Sequence, residues 1–170
     1  VWQKSGQVLA GMILGIAMGS LFGIVYALSR NSLPGKNDVS KAVILAGIMW
    51  ITIYLIPFLK YPANPPTVGD AETVALRAIL YISFILISGF GALAFYKLSQ
   101  KLQSNKKYLG LLGYAIFIII VFFVMPENPD EITAPMNLVN EFRFMSVLGV
   151  TSFWISIGFI LGLFWKKFEK

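Results

Sequence analysis

The chain has 170 residues, 57% of them hydrophobic and only 13% charged, whereas soluble domains carry roughly a quarter charged residues. It contains no cysteine and no histidine, which excludes a disulfide framework, a thiolate or imidazole metal site and a histidine base. The net charge of +6 comes from basic residues set beside long apolar runs, the pattern of membrane insertion and not of nucleic-acid binding.

Five apolar runs are long enough to cross a bilayer, which takes about 20 residues at helical rise. Their limits are near 7–28, 42–59, 74–96, 108–125 and 144–165. Nothing alternates as barrel strands do, so helices are the remaining way to satisfy the backbone in lipid. The expectation is an all-α integral membrane protein, one polytopic domain holding a bundle of five transmembrane helices.

The first run is too long for a signal peptide and lacks a clean cleavage site, so it reads as a retained span. It carries Gly11, Gly15, Gly19 and Gly23 at a strict four-residue repeat, which lines them along one helical face where a neighbouring backbone can approach closely. Tight packing within one bundle accounts for such a face, as do a dimer interface and a moving gate. Gly158 and Gly162 form a shorter version in the last run. Trp2, Tyr26, Tyr61, Tyr96, Tyr108 and Trp165 lie near span ends as an aromatic belt, while Trp50 and Trp154 lie deeper and have an N–H to satisfy.

Loops 29–41 and 97–107 and the C-terminal tail hold ten of the fourteen basic residues. The excess of Lys and Arg places these segments and the C-terminus in the cytoplasm of a multi-pass cell-membrane protein. Val1 and loops 60–73 and 126–143 are then outside, and an outward N-terminus without a signal peptide implies a sixth helix upstream of Val1.

Between the second and third runs lies the densest group of unusual residues. Pro57, Pro62, Pro65 and Pro66, half the prolines of the chain, fall within Pro57-Phe58-Leu59-Lys60-Tyr61-Pro62-Ala63-Asn64-Pro65-Pro66-Thr67-Val68-Gly69-Asp70. Each proline removes a backbone donor and pushes its predecessor out of the helical region, giving a stiff non-helical plug.

The two outer loops hold six carboxylates, among them Asp70, Glu72, Glu127 and Asp130, with Asn64, Asn128 and proline-flanked carbonyls. Such oxygens suit a hard cation, and a carboxylate funnel raises the local cation concentration; solvated loop acids are the plainer account. Asp70 is placed as an N-cap of the third span with Glu72 in its first turn. Lys60, Arg77 and Arg143 stand at span ends, where charge must pair or snorkel, with Asp70, Glu72 and Glu141 as nearest partners. They serve either as pins holding the loops on the helix ends or as charges tuning a permeation entrance. No G-x-S-x-G, H-E-x-x-H or Walker loop occurs, so the chain is not read as an enzyme or an ATPase.

The run from Pro57 to Pro66 followed by Val68-Gly69-Asp70, with Arg77, Tyr81, Met125-Pro126-Glu127 and Phe142-Arg143, resembles the CbtA family of cobalt transporter subunits. The resemblance covers essentially the whole chain, with the glycine-rich first span similar to the second segment of longer members. It implies a membrane subunit for Co2+ as transported ion, no permanently bound cofactor, and a small single-span partner carrying histidines (CbtB-like), with other membrane subunits possible beside it. Without a histidine here, either that partner supplies nitrogen ligands or the ion moves hydrated past oxygen ligands. The other class of function is an accessory subunit packing within a larger membrane complex.

Overall fold

The computed structural model describes residues 2–66 and 68–168, with side chains from Ser5 onward. Val1, Thr67, Glu169 and Lys170 and the side chains of Trp2 and Lys4, part of the belt and charge readings above, lie outside the described residues. The described residues form helices and connecting turns, with no strand among them.

Five helices are long and apolar enough to cross a membrane, as expected. We number them α1 (Trp2–Ser29), α2 (Asp38–Lys60), α3 (Val74–Gln100), α4 (Tyr108–Val124) and α5 (Met136–Phe168). Three helices, α1, α2 and α5, begin earlier than their apolar runs. Asn37 caps α2, its Oδ1 accepting the Ser40 N–H at 2.8 Å. Pro135 immediately precedes α5, and its carbonyl accepts the Val139 N–H. Residues 136–143 are therefore helical, not loop: polar residues can extend a helix beyond the apolar stretch that a hydropathy count detects.

The residues group into two compact units, Val1–Ile48 with Thr151–Lys170, and Met49–Val150. In the first, α5 presents Gly158 and Gly162 to the start of α2. A methyl on Gly158 would stand 2.7 Å from Ala46 Cβ, and one on Gly162 would stand 2.5 Å from Val39 Cα. Phe22 of α1 packs edge-on to Trp154, and Tyr26 to Trp165. Tyr26 is fully buried and is no belt residue: its hydroxyl donates to Asp38 Oδ1 at 2.9 Å, which also accepts from Arg30 Nε.

The stripe on α1 behaves differently. No described atom lies within 4 Å of where a Cβ would stand on Gly11, Gly15 or Gly23, and Gly19 only just reaches Ile157. Packing within this unit therefore does not use that face; its close helix–helix glycine contacts belong to α5. A four-residue repeat defines a face, but the neighbour that meets it is a tertiary matter.

In the second unit α3 and α4 lie close together. A methyl on Gly110 would meet Ser99 Cβ at 2.5 Å, and Gly91 and Gly113 leave room for Phe117 and Phe95. The Tyr114 and Ser88 hydroxyls hydrogen-bond at 2.8 Å, satisfying two polar groups at once. The Trp50 indole Nε1 is buried with no acceptor among the described residues.

Within α2, residues Trp50–Leu55 form a π-helical segment, and the Ile56 N–H donates to the Ile51 carbonyl five residues back. The cause is the next residue. Pro57 has no N–H and its ring would strike the carbonyl four residues earlier, so the wider turn absorbs the conflict without breaking the helix.

Candidate functional site

The second unit brings together the end of α2, the proline segment after it, the start of α3, the loop between α4 and α5, and the first turns of α5. Pro57 is buried, and its carbonyl accepts the Tyr61 N–H at 2.8 Å, closing the last turn of α2. Lys60 sits in that turn with its side chain turned inward. Its Nζ meets Glu127 Oε1 at 2.5 Å and lies 4.9 Å from the centre of the Phe122 ring. The buried ammonium thus has one carboxylate and one aromatic face to replace water.

Tyr61 follows, packed edge-on to Phe84, with its hydroxyl donating to the Pro126 carbonyl at 2.6 Å. Burial pushes the phenol above its usual range, and the Glu127 charge adds to this. The phenol therefore keeps its proton, and remains a donor, to higher pH than a free tyrosine.

Gly69 has φ +97, a conformation that L side chains rarely adopt. A Cβ there would also overlap the Asp130 carboxylate and stand 2.6 Å from Arg77 Nη1. That close approach lets Arg77 fold back over the segment. Its Nε faces Asp130 Oδ2 at 2.9 Å, Nη2 donates to the Asp70 carbonyl at 3.0 Å, and Nη1 donates to the Val68 carbonyl at 3.4 Å. Asp130 in turn accepts from the Thr73 hydroxyl at 2.7 Å and from the Asp70 N–H at 3.2 Å. From α5, Arg143 donates through Nη2 to Asn64 Oδ1 at 2.9 Å and through Nε to the Ala63 carbonyl at 3.4 Å.

All three cations are loop pins, but their partners differ from those nearest in sequence. Glu127, Asp130 and the 63–64 segment take the places expected of Asp70, Glu72 and Glu141. The α4–α5 loop folds across the proline segment, so its carboxylates reach the helix ends first. Asp70 is not the N-cap of α3, which starts at Val74 after Thr73. Its Oδ1 instead accepts the Glu72 N–H at 3.0 Å, closing a local turn before the helix. Glu72 and Glu141 are exposed, and Glu141 and Arg143 stand on α5 and not in a loop.

Among the described residues no group of three or more His, Cys, Asp or Glu is arranged to hold a metal ion. Of Asp70, Glu72, Glu127 and Asp130, the last two are paired with cations, while Asp70 and Glu72 project from the surface. Beside them is a cavity of about 350 Å3, to which Tyr61, Val68, Arg77, Leu80 and Asn128 contribute. Pro62, Asn64, Pro65 and Pro66 all line it. Leu80 and the buried role of Asp130 were not legible in the sequence. Asn128 offered one local signal, the Asn-Pro-Asp spacing of a turn in which its Oδ1 accepts the Asp130 N–H.

A family model described as "Probable cobalt transporter subunit (CbtA)" matches residues 1–166. No curated protein and no solved structure matches the chain.

Proposed function

Because the chain belongs to the CbtA family, we propose that this multi-pass membrane protein is the subunit that passes Co2+ across the membrane, with no ATPase of its own. The observation that carries this reading is the pinned cavity beside the proline segment. Irregular backbone held at the end of a span, with carbonyls free of helical partners, is where helical transporters build ion sites. The surrounding segments, residues 60–77 and 126–143, hold six carboxylates against three cations. Such a balance draws dications toward the cavity mouth.

In this reading Asp70 and Glu72, with Glu127 and Asp130 behind them, attract the ion and do not cage it. The cavity faces outward and the C-terminus inward, in line with the excess of Lys and Arg on the opposite loops. A histidine-bearing single-span subunit supplies nitrogen ligands deeper in the path. The test is uptake of radiolabelled Co2+ under cobalt limitation, in a deletion strain and in the strain restored with the gene. Restored uptake is the expected result; equal uptake in both strains overturns the reading.

A second reading, an accessory subunit within a larger membrane complex, is favoured by the open glycine face of α1, which suits a helix from another chain. Co-purification in fixed stoichiometry with other subunits, without any cobalt phenotype, distinguishes it.

A further inference from the structure

We propose that the turn joining α3 to α4 is a headgroup site for acidic phospholipid. Lys97, Lys101, Lys106 and Lys107 hold the lipid phosphate, and the adjoining helix surfaces hold its acyl chains. The site lies at the ends of α3 and α4 remote from the proline segment, and it does not rest on the transport reading.

The charge distribution is the first observation. From Thr73 to Pro126 the sequence has no Asp or Glu, so α3, the turn and α4 carry no carboxylate. Every acid of the second unit belongs to residues 70–72 or 127–141, beyond the opposite ends of these two helices. A helix of the length of α3 spans about 40 Å, several times the Debye length of about 10 Å at 0.1 M salt. Those acids therefore do not neutralise the turn. The other two basic segments differ: 29–41 contains Asp38, which pairs with Arg30, and the C-terminal tail contains Glu169.

The second observation is that folding crowds these lysines without pairing them. Lys97 and Lys101 stand four residues apart on one face of α3, an unfavourable spacing for like charges. Gly110 brings the first turn of α4 against Ser99 and the Phe95 carbonyl, so Lys106 and Lys107, just before that turn, are held close to the end of α3. Backbone bonds from Lys101 N–H to the Leu98 carbonyl and from Lys106 N–H to the Gln103 carbonyl fix the connection. All four side chains are exposed, and none has an ion-pair or hydrogen-bond partner among the described residues. An anion from outside the chain relieves this repulsion.

The third observation selects a lipid. The exposed rings of Tyr96 and Tyr108 flank the lysines, which sets the patch at headgroup depth. Apolar surface begins at once beside it, with Leu98 and Leu111 both more than half exposed. A ligand that is anionic at one end and hydrocarbon at the other covers both surfaces, whereas a soluble acidic protein covers only the charges. Each lysine near the membrane surface is worth about fivefold in association with acidic lipid.

The test exploits the absence of cysteine. Gln103→Cys carries a single fluorophore at the turn, and Thr133→Cys carries one in the α4–α5 loop. The full-length protein is placed in phosphatidylcholine nanodiscs doped with either phosphatidylglycerol or phosphatidylcholine, spin-labelled near the top of the acyl chain. At Gln103→Cys the phosphatidylglycerol should quench at least about tenfold more effectively, and the preference should fall in high salt. At Thr133→Cys there should be no preference for it. Replacing all four lysines by Gln should abolish the preference, and replacing all four by Arg should retain it. The milder pair Lys106→Gln with Lys107→Gln should lower it at least about threefold.

Equal quenching by the two lipids at Gln103→Cys overturns the proposal, as does an undiminished preference in the Gln variants or the same preference at Thr133→Cys. Shielding of the turn by an acidic peptide, with no phosphatidylglycerol preference, assigns the patch to a protein partner and overturns it too.

Discussion

Lys60 and Glu127 form an ion pair whose halves stand in opposite surroundings, the lysine side chain 3% exposed and the glutamate 87%. The asymmetry makes their removal unequal. Replacing Glu127 by Ala leaves a buried ammonium with only the Phe122 ring and should destabilise the protein by about 2 kcal/mol, the scale of a hydrogen bond to a charged group. Replacing Lys60 by Met removes the charge together with its desolvation cost and should be nearly neutral. Thermal unfolding in detergent of the two single variants and the double variant measures the coupling, and equal losses in the single variants would contradict this account.

Gly69 ties the proline segment to Arg77 and Asp130. Gly69→Ala combines a left-handed backbone conformation with overlap against both partners, so it should cost about 2–3 kcal/mol. Asp130→Asn keeps the shape but leaves Arg77 without its carboxylate, and should loosen the same loop. Limited proteolysis near residues 61–73 reads both, with Gly35→Ala as a comparison at another left-handed glycine remote from this loop in sequence.

Tyr61 yields a pH prediction. Its folded pKa is raised above the unfolded value of about 10, mainly by burial and then by Glu127. The folded form therefore holds the proton more tightly. The corresponding stability is fully present below pH about 10 and is lost as pH rises through the folded value. Tyr61→Phe removes the bond to Pro126, costing about 1 kcal/mol at neutral pH. It should also flatten the alkaline limb relative to wild type, as followed by unfolding at stepped pH.

The two glycine faces should respond oppositely to added bulk. Gly158→Val and Gly162→Val drive a side chain into α2 and should destabilise by about 2 kcal/mol or more. Gly15→Ala and Gly23→Ala meet open space, and the better helix former should leave the isolated chain as stable or more stable by up to about 1 kcal/mol. If a partner helix covers α1, the second pair should instead reduce co-purification of that partner.

Asp70→Asn and Glu72→Gln should lower Co2+ uptake through a raised KM, by about threefold each at low ionic strength, and less in high salt. Uptake that is insensitive to both, at any salt, would remove these carboxylates from the path.

Much of this protein was legible without coordinates. Long apolar runs in a bilayer have one solution, because every N–H and C=O must find a partner within the segment. The number of spans and the non-helical proline segment follow from local chemistry, whereas for Lys60, Arg77 and Arg143 at span ends it left two roles open, pins on the loops or charges tuning an entrance. The choice of partners did not follow, because ion pairing depends on which loop lies across which helix end. Nearness in sequence favoured Asp70 and Glu72 for Arg77, whereas the structure supplies Asp130 from a loop more than fifty residues away.

The same division governs the glycines and the proline segment. Composition and spacing alone established helices, a face of small residues on α1 and a backbone that cannot be helical around Pro62–Pro66. Tertiary structure alone decided that close helix contacts are made at Gly158 and Gly162 of α5 and at Gly110 of α4, and not along the α1 stripe. It also decided that Asp130 pairs with Arg77, and that Pro62, Pro65 and Pro66 line a cavity. Periodicity and proline chemistry act within a few residues of the chain, whereas burial, pairing and cavities are set by atoms that only folding brings together.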